Sequence, residues 1–263
     1  MEIIIQPTHH ELAAITSLII RDALLKKPNL VLGLATGSTP IGLYKALVKL
    51  HREEKLDFSN VTTFNLDEYI GISIEHPESY HTFMSKHFFD HVNIPSENQH
   101  IPQNTTKNHE AFCTSYEEAI VRAGGIDIQV LGIGTDGHIG FNEVGSSLSS
   151  RTRIKTLSLS TIKANAIHFD GKIDAVPEMA ITMGIGTIMD AKQCLLLASG
   201  EAKSEAIAKA VEGPITAMVP ASILQMHPKT TVIIDEAAAS RLEEVEYYKR
   251  SYANRQKLMS QKQ

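Results

Sequence analysis

Short apolar runs alternate with amphipathic segments along this chain, and that alternation is the strongest constraint on its fold. Leu30–Ala35 and Ile126–Ile133 are almost continuously apolar, as parallel strands buried on both faces are. Between such runs, segments like Glu11–Lys26 carry apolar residues at helical spacing. Strands that alternate with helices predict an α/β fold, with a mostly parallel sheet and helices on both faces.

The same patterns predict the remaining elements. Strands are expected at 3–6, 61–66, 179–183, 194–198 and 230–234, and helices at 41–50, 81–91, 111–123 and 201–212. The charged segment from 237 to 263 predicts a helical C-terminal tail. Because no Pro- or Ser-rich linker divides the 263 residues, we expect one domain over 1–263.

Composition narrows the class of protein. The net charge is −5 and there is no basic run, which argues against nucleic acid as a partner. Two cysteines far apart, Cys113 and Cys194, cannot form a disulfide framework or a zinc motif, and they fit a reducing compartment. The sequence has no apolar run of membrane-spanning length and no basic segment of a signal peptide. We therefore expect a cytoplasmic protein.

The densest cluster of reactive side chains follows the predicted strand Ile126–Ile133. A glycine-rich turn there presents Asp136, His138 and Glu143 within eight positions. Carboxylates next to an imidazole can orient it for proton transfer, and ligands bind at the carboxyl edge of such sheets. The alternative is a tight turn with a capping aspartate and a surface histidine.

Two further strand ends carry polar groups suited to an anion. The turn Thr36-Gly37-Ser38-Thr39 precedes Pro40, which favours the first turn of a helix. A helix N-terminus with free N–H groups and hydroxyls forms a phosphate cradle, and without the lysine of a P-loop it does not indicate a nucleoside triphosphate. Lys203 follows another strand, at a helix start where a cation is unfavourable unless an anion binds. For the 36–39 turn the alternative is an ordinary capped turn, and for Lys203 it is a solvated lysine.

Asp67 and Glu68 follow the predicted strand at 61–66. A carboxylate in that position is either a helix cap or a general base. We favour the base, since the glycine-rich turns should lie at the same edge of the sheet.

Several long motifs resemble the glucosamine-6-phosphate deaminase family from about Leu30 to Asp235. They are LGLATGSTP, FNLDEY, HPESYH, GTDGHIGFNE and SRTRIKT. The resemblance implies a Rossmann-like α/β fold. It also implies conversion of glucosamine 6-phosphate and water to fructose 6-phosphate and ammonia, in amino-sugar catabolism, with no metal or organic cofactor.

The resemblance also assigns roles. His138, oriented by Asp136 and Glu143, opens the sugar ring, and Asp67 moves a proton from C2 to C1 with Glu68 beside it in the pocket. The remaining substrate-binding residues hold the phosphate: Thr36, Gly37, Ser38, Thr39 and Lys203.

Longer members of this family are hexamers with an allosteric site for N-acetylglucosamine 6-phosphate at a subunit boundary. Ser146, Arg153 and Lys155 match the positions that bind that effector's phosphate, although a polar surface loop is an equal interpretation. Lys249 stands where the family has a tyrosine in this site, which weakens the prediction of full allosteric control.

Two departures concern the catalytic region. Val144 replaces a proline after Glu143, and Ile167 replaces an arginine that clamps the substrate phosphate. The adjacent His168 should point elsewhere if the segment is helical. Rival functions are galactosamine-6-phosphate isomerase, 6-phosphogluconolactonase, and a non-catalytic sugar-phosphate sensor. The presence of Asp67, Asp136, His138 and Glu143 argues against the sensor. The FNLDEY motif and the FNE that follows His138 argue against the lactonase.

Overall fold

The computed structural model describes residues 1–103 and 105–261. Its strands, in chain order, are β1 (Glu2–Gln6), β2 (Val31–Leu34), β3 (Thr62–Asn65), β4 (Asp67–Tyr69), β5 (Gln99–His100), β6 (Ile128–Leu131), β7 (Arg153–Thr156), β8 (Met179–Thr182), β9 (Cys194–Ala198) and β10 (Thr230–Asp235). Its α-helices are α1 (His9–Lys26), α2 (Ser38–Glu54), α3 (Tyr80–His87), α4 (His109–Arg122), α5 (Leu159–Asn165), α6 (Ile185–Met189), α7 (Ser204–Val211) and α8 (Val245–Ser260).

Seven strands form the central sheet in the order β1-β10-β9-β6-β2-β3-β5, and every pairing in it is parallel. This confirms the predicted α/β class. Parallel pairing follows from the helical crossovers, which return the chain to the same edge of the sheet before each new strand.

Helices cover both faces of this sheet, as the apolar strands predict. Successive residues of a strand enter different cores: Ile3 and Val232 pack on the face covered by α4 and α7, whereas Ile4 and Ile233 pack on the face of α1 and α2. Because side chains alternate along a strand, a strand buried on both sides must be apolar throughout.

A second, three-stranded antiparallel sheet, β4-β8-β7, lies outside the central one. The predicted strand at 179–183 belongs here as β8. Asp67 follows a buried central strand, as predicted, and in addition it starts a strand of this second sheet. Strand β3 ends at Asn65, and Asp67 begins β4, where its Cα pairs with Thr182.

The C-terminal tail is helical later than expected. Residues 236–241 form turns, and α8 begins only at Val245. It packs beside β1, where Arg255 pairs with Glu2. Residues 262 and 263 of the predicted tail lie outside the described part. Within the described chain, none of the helices has the length and apolarity needed to cross a bilayer.

Candidate active site

A cavity of about 300 Å³ opens where the carboxyl ends of β9, β6, β2 and β3 meet. These strands are neighbours in the sheet. After β2 the next central strand, β3, lies on one side, whereas after β6 the next long central strand, β9, lies on the other. A crevice at such a reversal is the expected ligand site of an open parallel sheet. The sequence-predicted residues that line it are Thr36, Gly37, Ser38, Thr39, Asp67, Asp136, His138 and Lys203.

The cradle on one wall is the N-terminus of α2. Gly37 is its N-cap residue, with φ of 99°, a backbone conformation that favours glycine. No side chain caps the helix, so the N–H groups of its first turn face the cavity without the usual intramolecular acceptor. Uncapped N–H groups and the helix dipole together make this wall an anion site.

Lys203 faces the same cavity from the end of β9. Its Nζ donates a hydrogen bond of 2.7 Å to the carbonyl oxygen of Ile133, which fixes the ammonium group at the cavity wall. Burial lowers the pKa of Lys203, while the nearby Asp136 carboxylate opposes that change. An ammonium held in this position supplies a positive charge opposite an anionic ligand.

Asp67 is almost fully enclosed, with 6% of its surface exposed. Burial, and then the adjacent Glu68 carboxylate, raise the pKa of Asp67 to about 8, against a smaller opposing effect of the Phe141 N–H. Gly140 lies against it: a Cβ there would be 3.3 Å from Asp67 Oδ2. A carboxyl group that titrates near neutral pH is suited to taking up and returning a proton.

His138 and Asp136 form the opposite side of the cavity. Nδ1 of His138 lies 2.7 Å from Oδ1 of Asp136, which also accepts the His138 backbone N–H at 3.2 Å. Mainly because of its contact with the imidazole, the pKa of Asp136 falls to about 2. The ring packs directly on Gly134, where a Cβ would approach it to 2.3 Å. Asp136 thus both closes the turn and orients the imidazole.

Glu143 lies behind His138 and does not line the cavity. Its Oε2 is 4.0 Å from His138 Nδ1, and its Oε1 accepts the N–H of Ser158 at 3.0 Å. Oε2 has no hydrogen-bond partner among the residues the structure describes. Glu143 therefore lies beside the imidazole with one carboxylate oxygen that no other described group engages.

Asp136, His138 and Glu143 also present ligand atoms within 4.8 Å of one another, a spacing that could hold a metal ion. Nδ1, however, already faces the Asp136 carboxylate at 2.7 Å, an arrangement that orients imidazole for proton transfer. We interpret the cluster as an acid–base group, and the absence of a metal stays a prediction.

Glu68 does not reach the cavity, contrary to the substrate-binding role given to it from sequence. Its side chain is fully buried and accepts the backbone N–H groups of Tyr69, Tyr80 and His81, and it contacts the His81 imidazole. Glu68 therefore caps the start of α3. Its remaining link to the site is electrostatic, through the raised pKa of Asp67.

The structure reverses the expected orientations of Ile167 and His168. Residues 166–169 form a 3₁₀ turn in which Ile167 is 78% exposed, whereas His168 lines the cavity. Sequence reasoning also missed several polar lining residues, among them Tyr80 and Asn165. Tyr80 lies inside the HPESYH motif, directly after the Ser79 cap of α3. The capping serine in the sequence could therefore have indicated that Tyr80 starts a helix.

Ser146, Arg153 and Lys155 lie outside the catalytic cavity. Arg153 donates to Asn142 Oδ1 at 3.0 Å, next to Glu143, and Ser146 Oγ is buried without a partner among the described side chains. Arg153 also borders a larger, mainly apolar groove of about 740 Å³ between α4 and β7. That groove contains none of the proposed catalytic residues, so we place the chemistry in the smaller cavity.

Comparison with known proteins identifies the family. A model described as glucosamine-6-phosphate isomerases/6-phosphogluconolactonase matches residues 6–233. The chain belongs to this family. Glucosamine-6-phosphate deaminase 2 of Bacillus subtilis is 52% identical over 94% of this chain and all of its own length. The glucosamine-6-phosphate deaminase of Thermoanaerobacter pseudethanolicus is 51% identical over 91% of this chain and 94% of its own length.

Solved structures agree with this assignment. A monomeric glucosamine-6-phosphate deaminase superposes with a TM-score of 0.89 at 48% identity, covering 91% of this chain and 99% of its own. The 6-phosphogluconolactonase from Trypanosoma cruzi has a TM-score of 0.73 at 20% identity, covering 92% and 97%, which shows a shared fold. Within the family, the predicted membership of the glucosamine-6-phosphate deaminases is confirmed.

Proposed function

We propose that this protein converts glucosamine 6-phosphate and water to fructose 6-phosphate and ammonia. The observation that carries the proposal is the convergence, in one cavity, of a buried carboxyl group with a pKa of about 8, an oriented imidazole and an uncapped helix N-terminus. Such a site can hold a phosphate while it moves protons at the far end of a sugar. Relatives at about 50% identity that are named for this activity support it.

Ring opening is the first step that the site must support. The imidazole of His138 takes the proton of the anomeric hydroxyl and delivers a proton to the ring oxygen, which breaks the C1–O5 bond and leaves an aldehyde. Asp136, with a pKa near 2, stays ionised and stabilises the imidazolium that forms in between. Glu143, at 4.0 Å, adds a second negative charge behind the ring.

Isomerisation and deamination follow at C1 and C2. Asp67 in its ionised form removes the C2 proton. The electrons of the C2–H bond form a C1–C2 double bond while those of the carbonyl move to O1, which takes a proton from water to give an enol that carries the amine at C2. Asp67 then returns a proton to C1, which leaves an imine at C2, and water hydrolyses the imine to a ketone and ammonia. Because one carboxyl group both takes and gives the proton, a pKa near 8 suits both directions.

The phosphate is held away from the reacting carbons. The Thr36–Thr39 turn and Lys203 supply N–H groups, hydroxyls and a positive charge, and His168 faces the same cavity. Binding energy at a non-reacting phosphate positions the sugar and can lower the barrier at C2.

An ammonia-release assay with glucosamine 6-phosphate tests the proposal, run beside lactone hydrolysis and the galactosamine analogue. In Asp67→Asn we expect turnover to fall by about 10² to 10⁴, the usual share of a general base, while substrate still binds. His138→Ala should lose most rate on cyclic substrate and much less on an analogue held in open-chain form. If the wild type binds glucosamine 6-phosphate without releasing ammonia, the sensor function is supported instead. If it prefers lactone hydrolysis, the lactonase function is supported.

Regulation is proposed for the segment that follows Glu143. Arg153 hydrogen-bonds to Asn142, whose Nδ2 in turn donates to the carbonyl oxygens of Ile139 and Met183, so this arginine is mechanically connected to the catalytic loop. With Ser146 and Lys155 it would bind the phosphate of N-acetylglucosamine 6-phosphate. Lys249 instead pairs with Glu236 at 3.1 Å, which does not favour a role in the effector site.

Sigmoidal saturation that becomes hyperbolic with N-acetylglucosamine 6-phosphate would support this regulation. A coupling of about 1–3 kcal/mol is typical of allosteric sites. Hyperbolic curves that do not change with the effector would reject it and leave catalysis untouched.

Oligomeric state and cellular setting belong to the same proposal. We propose a cytoplasmic homo-oligomer, a hexamer by resemblance, that acts in amino-sugar catabolism on N-acetylglucosamine-derived substrate. The relative of known structure at 48% identity is a monomer, so the two assemblies are distinct outcomes. Sedimentation velocity separates them, and a single species at 28.9 kDa would reject the hexamer.

A further inference from the structure

A second concentration of positive charge lies away from the catalytic cavity. A cavity of about 380 Å³ between α2 and the end of α3 is lined mainly by basic side chains. They are Lys45, Lys49, Arg52, Lys86, His87 and His91. We call this the α2–α3 basic cavity. One carboxylate, Glu53, also lines it, although the whole chain carries a net charge of −5.

These charges are poorly compensated. Lys49 lies 3.8 Å from Glu53, but both side chains are mostly exposed, so the pair is weak. In the ranges that the structure describes, neither Lys45 nor Lys86 has a carboxylate within 4.0 Å. Burial, followed by Lys86, Lys45 and His91, lowers the pKa of His87, as expected where cations repel a further proton.

Two of the basic groups are held in place before any ligand arrives. Arg52 donates to Nδ1 of His91 at 3.2 Å, and the other ring nitrogen, Nε2, contacts the Lys86 carbonyl oxygen at 2.9 Å. The His91 ring, anchored to the Lys86 carbonyl oxygen, thereby supports the Arg52 guanidinium. A pre-positioned guanidinium is well suited to a phosphoryl group.

Helix-dipole stabilisation explains only part of this arrangement. Arg52, Lys86 and His87 occupy the last turns of α2 and α3, where cations are favourable. Lys45 and Lys49 are in the middle of α2, spaced so that both face α3. A helix terminus does not account for them, whereas a shared anionic ligand does.

We propose that the α2–α3 basic cavity is a second anion-binding site, which takes a small anion carrying two phosphoryl groups. Its volume lies in the range of ligand pockets and exceeds what one inorganic phosphate would fill. Cations from two helices line the opening, so each of two linked phosphoryl groups can face cations of a different helix. Pyrophosphate and a hexose bisphosphate share that chemistry.

A contact path connects this site to the catalytic cradle. Tyr44, which precedes Lys45, stacks on Phe88 at 5.1 Å, next to His87. Its hydroxyl donates to the carbonyl oxygen of Ala35 at 2.5 Å, immediately before Thr36. An anion that draws α2 and α3 together therefore bears on the turn that forms the phosphate cradle.

Calorimetric titration of the full chain with pyrophosphate and with a hexose bisphosphate tests the proposal without requiring turnover, so its outcome is independent of the proposed function. Wild type should bind at least one of the two, more tightly than inorganic phosphate, with an affinity that falls as salt rises. In the double variant Lys45→Ala/Lys86→Ala, affinity should fall at least about tenfold. The matched control Lys26→Ala/Lys257→Ala removes two exposed lysines elsewhere and should change affinity less than about twofold.

Three results would overturn the site. The site is rejected if neither anion binds at millimolar concentration, if both double variants weaken binding equally, or if binding is lost in Lys203→Ala and kept in Lys45→Ala/Lys86→Ala. The last result would place the anion in the catalytic cavity. Circular dichroism of each variant separates lost binding from lost folding, since all four substituted positions of the paired variants are exposed.

Discussion

Replacing Asp67 by asparagine should stabilise the fold at neutral and alkaline pH while it abolishes the base. The side chain is 6% exposed, and its ionised form is disfavoured by burial and by the Glu68 carboxylate. Asparagine has the same shape and cannot ionise. The variant therefore escapes the cost that the wild type incurs when an enclosed carboxyl group loses its proton.

The sign and size follow from the pKa of Asp67, which rises from 3.8 to about 8 on folding. The folded protein keeps a proton that the unfolded chain releases. Stability from this group is thus fully present below about pH 4 and is lost as pH rises towards 8. At about 1.4 kcal/mol per pH unit, the wild type should lose about 3 kcal/mol relative to Asp67→Asn between pH 5 and pH 7.5.

Urea unfolding at a series of pH values measures this difference, followed by circular dichroism because the chain has no tryptophan. The matched control is Asp57→Asn. Hydrogen bonds, first from the Ser59 N–H, hold the pKa of Asp57 below its usual value, so this exposed aspartate is ionised in both states above pH 5. The difference in unfolding free energy between Asp57→Asn and wild type should therefore not change with pH above pH 5. Parallel curves for wild type and Asp67→Asn would refute the burial argument.

Four shorter predictions concern activity. The kcat/KM of the wild type should rise with pH and level off above about pH 8, as Asp67 ionises; a profile flat from pH 6 to 9 would contradict its role as base. Gly134→Ala should reduce turnover nearly as much as His138→Ala, because the new Cβ would lie 2.3 Å from the ring; near-normal rates would mean that the imidazole can shift without loss. Lys203→Ala should raise KM more than it lowers kcat, because the phosphate is bound equally in the ground state and the transition state. A larger effect on kcat than on KM in steady-state kinetics would mean that the ammonium group acts in the chemical steps. His168→Ala should raise KM about tenfold whereas Ile167→Arg should change it little, because His168 lines the cavity and Ile167 faces solvent; a marked fall in KM for the arginine variant would show that an arginine at position 167 can reach the substrate phosphate.

Sequence reasoning succeeded where one physical rule was sufficient. Continuous apolar strands predict a parallel sheet, and a parallel sheet brings its carboxyl ends to one edge. The Thr36–Thr39 turn, the loop with Asp136 and His138, and Lys203 therefore had to lie near one another, and the structure places them around one cavity. That inference needed no knowledge of which residues contact one another.

The misplaced residues depend on tertiary contacts that local patterns do not contain. Glu68 is adjacent to Asp67, and only the position of α3 shows that it accepts the N–H groups of Tyr80 and His81. The 166–169 turn is oriented by Phe169, which packs on Tyr69 and stacks on His76. Helical spacing alone predicts the wrong residue of the Ile167–His168 pair for the cavity.

The pKa values of two carboxyl groups in the cavity shift in opposite directions, and this difference suits the two groups to different roles. Asp136 contacts an imidazole and remains ionised with a pKa near 2, so it can only orient and stabilise. Asp67 is enclosed beside Glu68 and titrates near 8, so it can both accept and return a proton. The buried Glu68, which reaches no ligand, helps to produce this difference through its charge. The hydrogen bonds that hold Glu68 at the start of α3 also hold its charge beside Asp67, the proposed base. We therefore expect Glu68→Gln to lower the pKa seen in the kcat/KM profile even where the fold is intact.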